Sequence, residues 1–364
     1  MRARIHPIDT ISDDQVAAWR RLAANAVEPN PFFEPDFVLP AARHLPARDV
    51  ALLVVEGPAG WAACMPVAPV RLVGVSAALG TWRHPYCFLG TPLIDRDSLE
   101  LGVAELVRHP LRDKRLPLFV LQSMTDGPLL SALRLSLAEQ KLAISFESGH
   151  ERATLQRQAD GEYADNMRAH HRREFKRLWR RLEESLGDPI EVEEDRGDGP
   201  ALDEFLRLEA SGWKGRSDTA LAADPAHAAF FRELCAGFAA QGRLQMLTMK
   251  VGERSVAMKC NIAAGDTLFC FKIAHDEELR RYSPGVQLER ANIGIFHERR
   301  GEQLMDSCAA PDNIMINRLW PDRRNIISVV VSRRGARNVV SRQGFRAAHA
   351  VRSRRDRRTS STSS

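Results

Sequence analysis

The residues with the most chemical content lie in one stretch, Thr267 to Asp306, TLFCFKIAHDEELRRYSPGVQLERANIGIFHERRGEQLMD. Thr267 to Ala274 alternates and is rich in large apolar residues, which predicts a buried strand. His275 to Tyr282 is charged and has no apolar period. Ser283-Pro284-Gly285 then predicts a helix start, because Ser is a preferred N-cap and Pro suits the first turn. That helix is expected to reach about Arg300, where Gly301 stops it. Gln303 to Asp306 begins another strand. A strand that feeds a helix N-terminus at a glycine offers unpaired N–H groups and the positive end of the helix dipole. Such a unit binds an anion, and a phosphate group is the ordinary choice.

The elements on either side must hold that unit in place. Within residues 1–30 a short helix begins at Asp13-Asp14 and carries Val16, Trp19, Leu22 and Ala23 as its stripe. Pro29, Pro31, Pro35 and Pro40 predict a loop. Strands are predicted at Val50–Val55, at Trp61–Val73, and across residues 84–94. A helix follows at Ser98–Arg108, a strand at Leu116–Leu121, a helix from Gly127-Pro128 to about Gln140, and a strand at Glu151–Leu155. From about Tyr163 the pattern restarts. Met167 to Leu186 is amphipathic, with Phe175, Leu178, Trp179, Leu182 and Leu186 on one face. Its basic residues between Arg172 and Arg181 form either a solvated face or a phosphate contact. A strand at Ile190–Glu194 and helices at Leu202–Glu209 and Pro225–Ala240 come next. Strands at Arg243–Val251 and Ser255–Ala263 then lead into the opening stretch. The class is α/β (α+β), each half a mixed, mainly antiparallel sheet flanked by helices. Predicted domains are 1–160 and 161–331, followed by a tail, 332–364.

Composition narrows the functional classes. The chain has 364 residues and a net charge of +5. From Val331 onward there are ten arginines and one acid, Asp356, so the rest of the chain carries −4. The basic character belongs to a tail that is expected to be disordered and open to an anionic partner. The six cysteines have no C-x-x-C spacing and sit mostly in apolar runs, which predicts reduced, buried thiols in a cytoplasmic protein. The eleven histidines are scattered, so no metal is expected. Walker A, G-x-S-x-G and complete Rossmann motifs are missing from the sequence. No apolar run is long enough for a transmembrane segment.

The second half resembles a known family in its element order and in its words. TLFCFKIAHDEELRRYSPGVQL, the WK at 213–214, AAQGRLQMLTMKVGERSVAMK and MDSCAAPDNIMINRLWPDRR are similar to the bacterial GNAT family once named for cellulose-biosynthesis (CelD-type) acetyltransferases. That family has a tandem GNAT architecture related to the FemAB peptidyltransferases. The resemblance covers roughly residues 30–330 and implies a degenerate first module packed on an active second one. It implies acetyl-CoA or another acyl-CoA as co-substrate. Phe271, Lys272 and Ile273 would be the strand positions that pair with the pantetheine arm. Arg280, Arg281, Tyr282, Ser283, Pro284, Gly285 and Val286 would meet the pyrophosphate. The common family loop reads Gln/Arg-x-x-Gly-x-Gly/Ala. Here Arg281 and Gly285 are one residue wider apart, and Gln287 replaces the second small residue, where it is expected to crowd the phosphate.

Amide formation from a thioester needs a neutral amine, a stabilised oxyanion and a thiolate that can accept a proton. On the resemblance, Asp306, His275 (with Asp276 beside it) and Glu209 are the groups that could take the amine proton. Trp213 and Lys214 would line the pocket of the acceptor. Three functions remain open at this stage. One is acyl transfer to the amine of an amino sugar or other small amine, in polysaccharide biosynthesis on the family naming. The second is FemAB-like transfer from aminoacyl-tRNA. The third is a non-catalytic module whose tail grips nucleic acid, anionic lipid or acidic polymer.

Overall fold

The computed structural model describes all residues except 73–74, 159–168, 196, 198, 213–219, 299–300 and 336–364; for 71–77 and 169–171 only the backbone is described. The predicted tail therefore lies almost wholly outside the described residues. The chain forms two compact units, Met1–Val38 with Pro46–Glu151 and residues from Asn325 on, and Leu39–Leu45 with Arg152–Arg324.

In the first unit the strands run in the order β1 (Arg2–Pro7), β2 (Ala51–Gly57), β3 (Gly60–Leu72), β4 (Val75–Thr81), β6 (Leu118–Thr125), β13 (Asp322–Arg333) and β7 (Leu142–Gln156), with the short β5 (Leu93–Ile94) beside β3. The β4–β6 pair is parallel, whereas β1–β2, β2–β3, β3–β4 and β6–β13 are antiparallel. Helix α1 (Asp13–Ala24) starts where the acidic pair predicts, closed by a capping box between Ser12 and Gln15. Helices α3 (Leu99–Arg108) and α4 (Pro128–Glu139) also match their sequence signals.

Two expectations for this part of the chain change, and one strand is added. The proline-rich segment is not a loop: a 3-10 turn at Pro31–Phe33 leads into α2 (Pro35–His44), with Pro40 inside the helix. Burial of Phe32, Phe33 and Phe37 in the core outweighs the single donor that Pro40 removes. Residues 84–94 do not make one strand; β4 precedes them, and only Leu93–Ile94 pairs. The run Ile326 to Val331 belongs to β13, whose arginine-rich flanks hid its apolar core.

His84 packs among Trp82 and Phe37, with ring centroids 4.8 and 5.8 Å away. Burial, helped by the Arg83 charge, lowers its pKa from 6.5 to about 3. The folded protein therefore binds this proton less readily than the unfolded chain. Stability contributed by neutral His84 is complete above the unfolded value and is lost as pH falls from about 6.5 toward 3, by at most about 1.4 kcal/mol per pH unit. A His84→Phe variant should have a flatter dependence of its urea midpoint on pH in that window. Parallel profiles for the variant and the parent would contradict this.

The second unit is built on α5 (Ala169–Leu186), β8 (Ile190–Asp195), α6 (Gly199–Ser211), α7 (Pro225–Ala239), β9 (Leu244–Val251), β10 (Arg254–Ala264), β11 (Thr267–His275), α8 (Pro284–Glu298), β12 (Leu304–Asp306) and α9 (Ile314–Leu319). Its strand order is β7, β12, β11, β10, β9, β8. Every pair in it is antiparallel except β11–β12. The stripe predicted on α5 is buried at Phe175 and Leu182 and partly buried at Trp179 and Leu186, while Arg172, Arg173, Lys176 and Arg177 face solvent. Helix α7 is capped by Asp224, whose carboxylate accepts from Ala226 N. No helix among the described residues is long and apolar enough to cross a membrane.

Candidate functional site

Strand β11 is the centre of the second unit. Its parallel pairing with β12 covers Thr267, Leu268 and Phe269 opposite Leu304, Met305 and Asp306, and ends there. The chain after β12 turns away: Ser307 N bonds to Ala153 O, and Cys308 adopts a left-handed φ of 51°. Strand β11 continues to His275, paired on its other side with β10 as far as Ala257. The two parallel strands therefore diverge after Phe269. From there to His275, β11 extends about 20 Å.

Beyond His275 the backbone closes quickly onto α8. Asp276 caps a 3-10 turn, Glu277–Tyr282, by accepting from Glu278 N, and Arg254 Nε holds the same carboxylate at 3.1 Å. Ser283 is not the extended N-cap that its type predicts. It lies in the left-handed region at φ 55°, with its N–H bonded to Arg280 O at 3.0 Å. The following Pro284 disfavours the right-handed helical conformation at this position, and the 3-10 turn must end here. Helix α8 then starts at Pro284, as predicted. A Cβ at Gly285 would stand 3.3 Å from His275 Nδ1, so the glycine lets the first turn of α8 approach the end of β11 without displacing that ring.

Gln287 does not crowd the helix start. Its side chain is fully buried and turned toward α5, where Nε2 donates to Phe175 O at 3.0 Å and Oε1 accepts from Arg290 at 3.2 Å. The wider loop motif therefore has a structural reason: position 287 ties α8 to a helix that precedes the sheet.

The other candidates take distinct places. Glu209, near the end of α6, is buried; its Oε2 accepts from Leu221 N at 2.9 Å, and its Oε1 lies 3.9 Å from Lys272 Nζ on β11. Phe271 stacks on Phe231 of α7, which stacks on Phe205 of α6. Ile273 is half-buried one residue beyond Lys272. Arg280 and Arg281 are exposed, the latter 4.7 Å over its neighbour Tyr282, and Val286 is partly buried against the α8 core. Asp306 is completely buried and bonded to Arg324 at 3.0 Å, Arg152 at 3.5 Å and Cys308 N at 2.8 Å. The two guanidiniums occupy both carboxylate oxygens, Arg152 on Oδ1 and Arg324 on Oδ2. The geometry thus brings Glu209 to the middle of β11 and His275 to its end, and makes Asp306 a buried charge centre where the strands part. Trp213 and Lys214 lie outside the described residues.

One buried polar network is invisible in the motifs. Lys259 Nζ and Glu289 Oε2 pair at 2.7 Å, both fully buried. Glu289 also accepts from Trp320 Nε1 and Asn292 Nδ2, each at 3.2 Å, and Asn292 Oδ1 receives Asn261 Nδ2 at 2.8 Å. Burial alone would push the Lys259 ammonium down, but its pairing with Glu289 outweighs that and raises its pKa. The Cys270 thiol is pushed up to about 12, chiefly by burial. Desolvation and Asp306 raise the Cys308 thiol as well. Both sulfurs stay protonated near neutral pH and are poor nucleophiles. The available signal was Lys259 and Asn261 inside an otherwise apolar strand, opposite Glu289 and Asn292 three apart on a helix.

The first unit repeats the strand plan but not the opening. Parallel β4 and β6 pair at Leu79–Phe119 and Gly80–Val120. The next groups on β6 are engaged by the chain itself, Gln122 N by Thr81 Oγ1 at 3.1 Å and Ser123 O by Gly90 N at 2.9 Å. A Cβ at Gly90 would fall 2.0 Å from Gln122 O, so this packing requires glycine. A cavity of about 860 Å³ lies beside it, lined in part by Arg48, Trp82, Arg83 and His150.

Comparison with known proteins places this geometry. Residues 169–313 match the acetyltransferase (GNAT) domain family. The fold of the chain is similar to that of FemX, with a TM-score of 0.58 at 9% identity over 91% of this chain and 97% of the other. L-PGS from Bacillus licheniformis superposes at 0.54 with 13% identity, covering 93% and 96% of the two chains. A conserved protein from Bacteroides thetaiotaomicron superposes at 0.56 with 12% identity, covering 89% and 99%. A search of curated proteins finds no match. The architecture is a mixed α/β fold with a large mixed sheet flanked by helices, and the GNAT domain match falls within its second unit. The GNAT match covers the diverging pair, the 3-10 loop and α8.

Proposed function

We propose that the second unit is an acyl-CoA-dependent N-acyltransferase of the CelD type, acting on the amine of an amino sugar or other small molecule. The observation that carries this reading is the divergence of β11 from β12 inside the GNAT-matching segment. About 20 Å of strand then leads to the N-terminus of α8, a span suited to an extended pantetheine arm. The acyl end would sit where the strands part, near Phe269 and Asp306. The pyrophosphate would meet the turn Arg280–Val286, where backbone N–H groups at the helix start favour negative charge.

In the reaction the amine nitrogen attacks the thioester carbonyl, the N–C bond forms, the C–S bond breaks, and the thiolate takes up a proton. Glu209 is the proposed acceptor of the amine proton, directly or through water. Lys272, 3.9 Å away, holds positive charge beside it. His275 is assigned to the donor end because it abuts Gly285. Asp306 is a positioning residue that fixes the point of divergence through Arg152 and Arg324. Trp213 and Lys214 are proposed for the acceptor pocket. The first unit, whose strand opening is closed by Thr81 and Gly90, would not bind donor.

Purified protein should release CoA thiol from acetyl-CoA when supplied with a suitable primary amine, and ribonuclease treatment should leave the rate unchanged. A rate that requires charged tRNA would instead place the chain with aminoacyl-tRNA-dependent transferases of the FemAB type.

A further inference from the structure

We propose that the groove between α5 and α8 in the second unit binds the 3′-phosphate of the CoA donor; the assignment rests on the acyl-CoA reading above. The groove has a volume of about 560 Å³ and is lined by Arg172, Lys176, Trp179, Gln287, Arg290 and Ala291. Three of these six carry positive charge and none is a carboxylate. Arg172 and Lys176 are four apart on α5 and so share a face. Arg290 comes from α8 and is held in place: its guanidinium lies 4.9 Å over the Phe175 ring and donates to Gln287 Oε1 at 3.2 Å. The bond from Gln287 to Phe175 O fixes the distance between the two helices. Cations are thus gathered from two elements whose separation is set by a buried hydrogen bond.

The position of the groove suits a phosphate already tethered to the helix start. Arg290 lies five residues beyond Gly285, about 7.5 Å along the axis. In CoA the pyrophosphate and the 3′-phosphate are separated by one ribose, so a donor anchored at the first turn can reach the groove with its second anionic group. The other basic residues of α5 differ. Arg180 pairs with exposed Glu184 at 3.2 Å, Arg181 lines a separate groove with Glu184 and Arg281, and Arg173 and Arg177 lie outside both linings.

The test compares CoA with 3′-dephospho-CoA by calorimetry on the full chain. Charge-assisted bonds from two or three cations predict about tenfold to a hundredfold tighter binding of CoA. In the double variant Arg172→Gln/Lys176→Gln the gap should fall below about threefold, with the affinity for dephospho-CoA serving as the control for a correctly folded donor site. Rising salt should narrow the gap in the parent protein. Equal binding of both ligands by the parent, or a gap that survives the double substitution, overturns the assignment while leaving the acyl-CoA reading intact. Binding of neither ligand overturns both.

Discussion

A Glu209→Gln variant should lose about a hundredfold to a thousandfold in turnover while keeping its affinity for acyl-CoA, as removal of a general base requires. The substitution is nearly isosteric. Glutamine can still accept from Leu221 N through its carbonyl oxygen, so the bond that ties the end of α6 to the following segment is retained. What disappears is the negative charge 3.9 Å from Lys272 and the capacity to take a proton. Parallel measurement of donor binding and of the thermal transition separates this loss from a folding defect. If turnover is unchanged, Glu209 serves only as a buried cap, and the proton must leave the amine by another route.

A Glu289→Ala variant should be destabilised by about 3–5 kcal/mol, because it strands the Lys259 ammonium in a fully buried site. Trp320 Nε1 loses its acceptor in the same step, and Asn292 loses one of its acceptors. The joint replacement Lys259→Met/Glu289→Leu should recover most of that loss, since it removes both charges together. The effect is read from the denaturation transition of the second unit. A loss below about 1 kcal/mol for the single variant would mean that the pair contributes no more than exposed pairs such as Lys250–Glu193 or Arg207–Glu204. Because Glu289 lies on α8 and Lys259 on β10, the pair also fixes the helix start relative to the central strands, and its loss should weaken donor binding as well.

Periodic elements were legible in the sequence because their signals are local. The strand–loop–helix unit, the capped α7 and the amphipathic α5 follow from alternation, turn residues and caps. The structure places them within a few residues of their predicted bounds. The proline-rich segment departs from the predicted loop because tertiary burial of Phe32, Phe33 and Phe37 overrides local propensity. Ser283 has the chemistry of an N-cap, yet the proline after it and the 3-10 turn before it force another backbone state. The role of Gln287 depends on Phe175, 112 residues earlier in the chain, and no local pattern shows that partner. The same holds for Asp306, whose two arginines come from separate segments. Candidate residues could thus be named from type and spacing, but their division into donor end, proton acceptor and charge centre required contacts distant in sequence.

The central claim is that the second unit binds an acyl-CoA along β11 and at the start of α8. Isothermal titration of acetyl-CoA into the parent protein and into Gly285→Val tests it most directly, because any side chain at position 285 meets His275. The parent should bind with a saturable heat, and the variant at least about tenfold more weakly, a loss of about 1.4 kcal/mol. No heat of binding by the parent at millimolar acetyl-CoA would contradict the account.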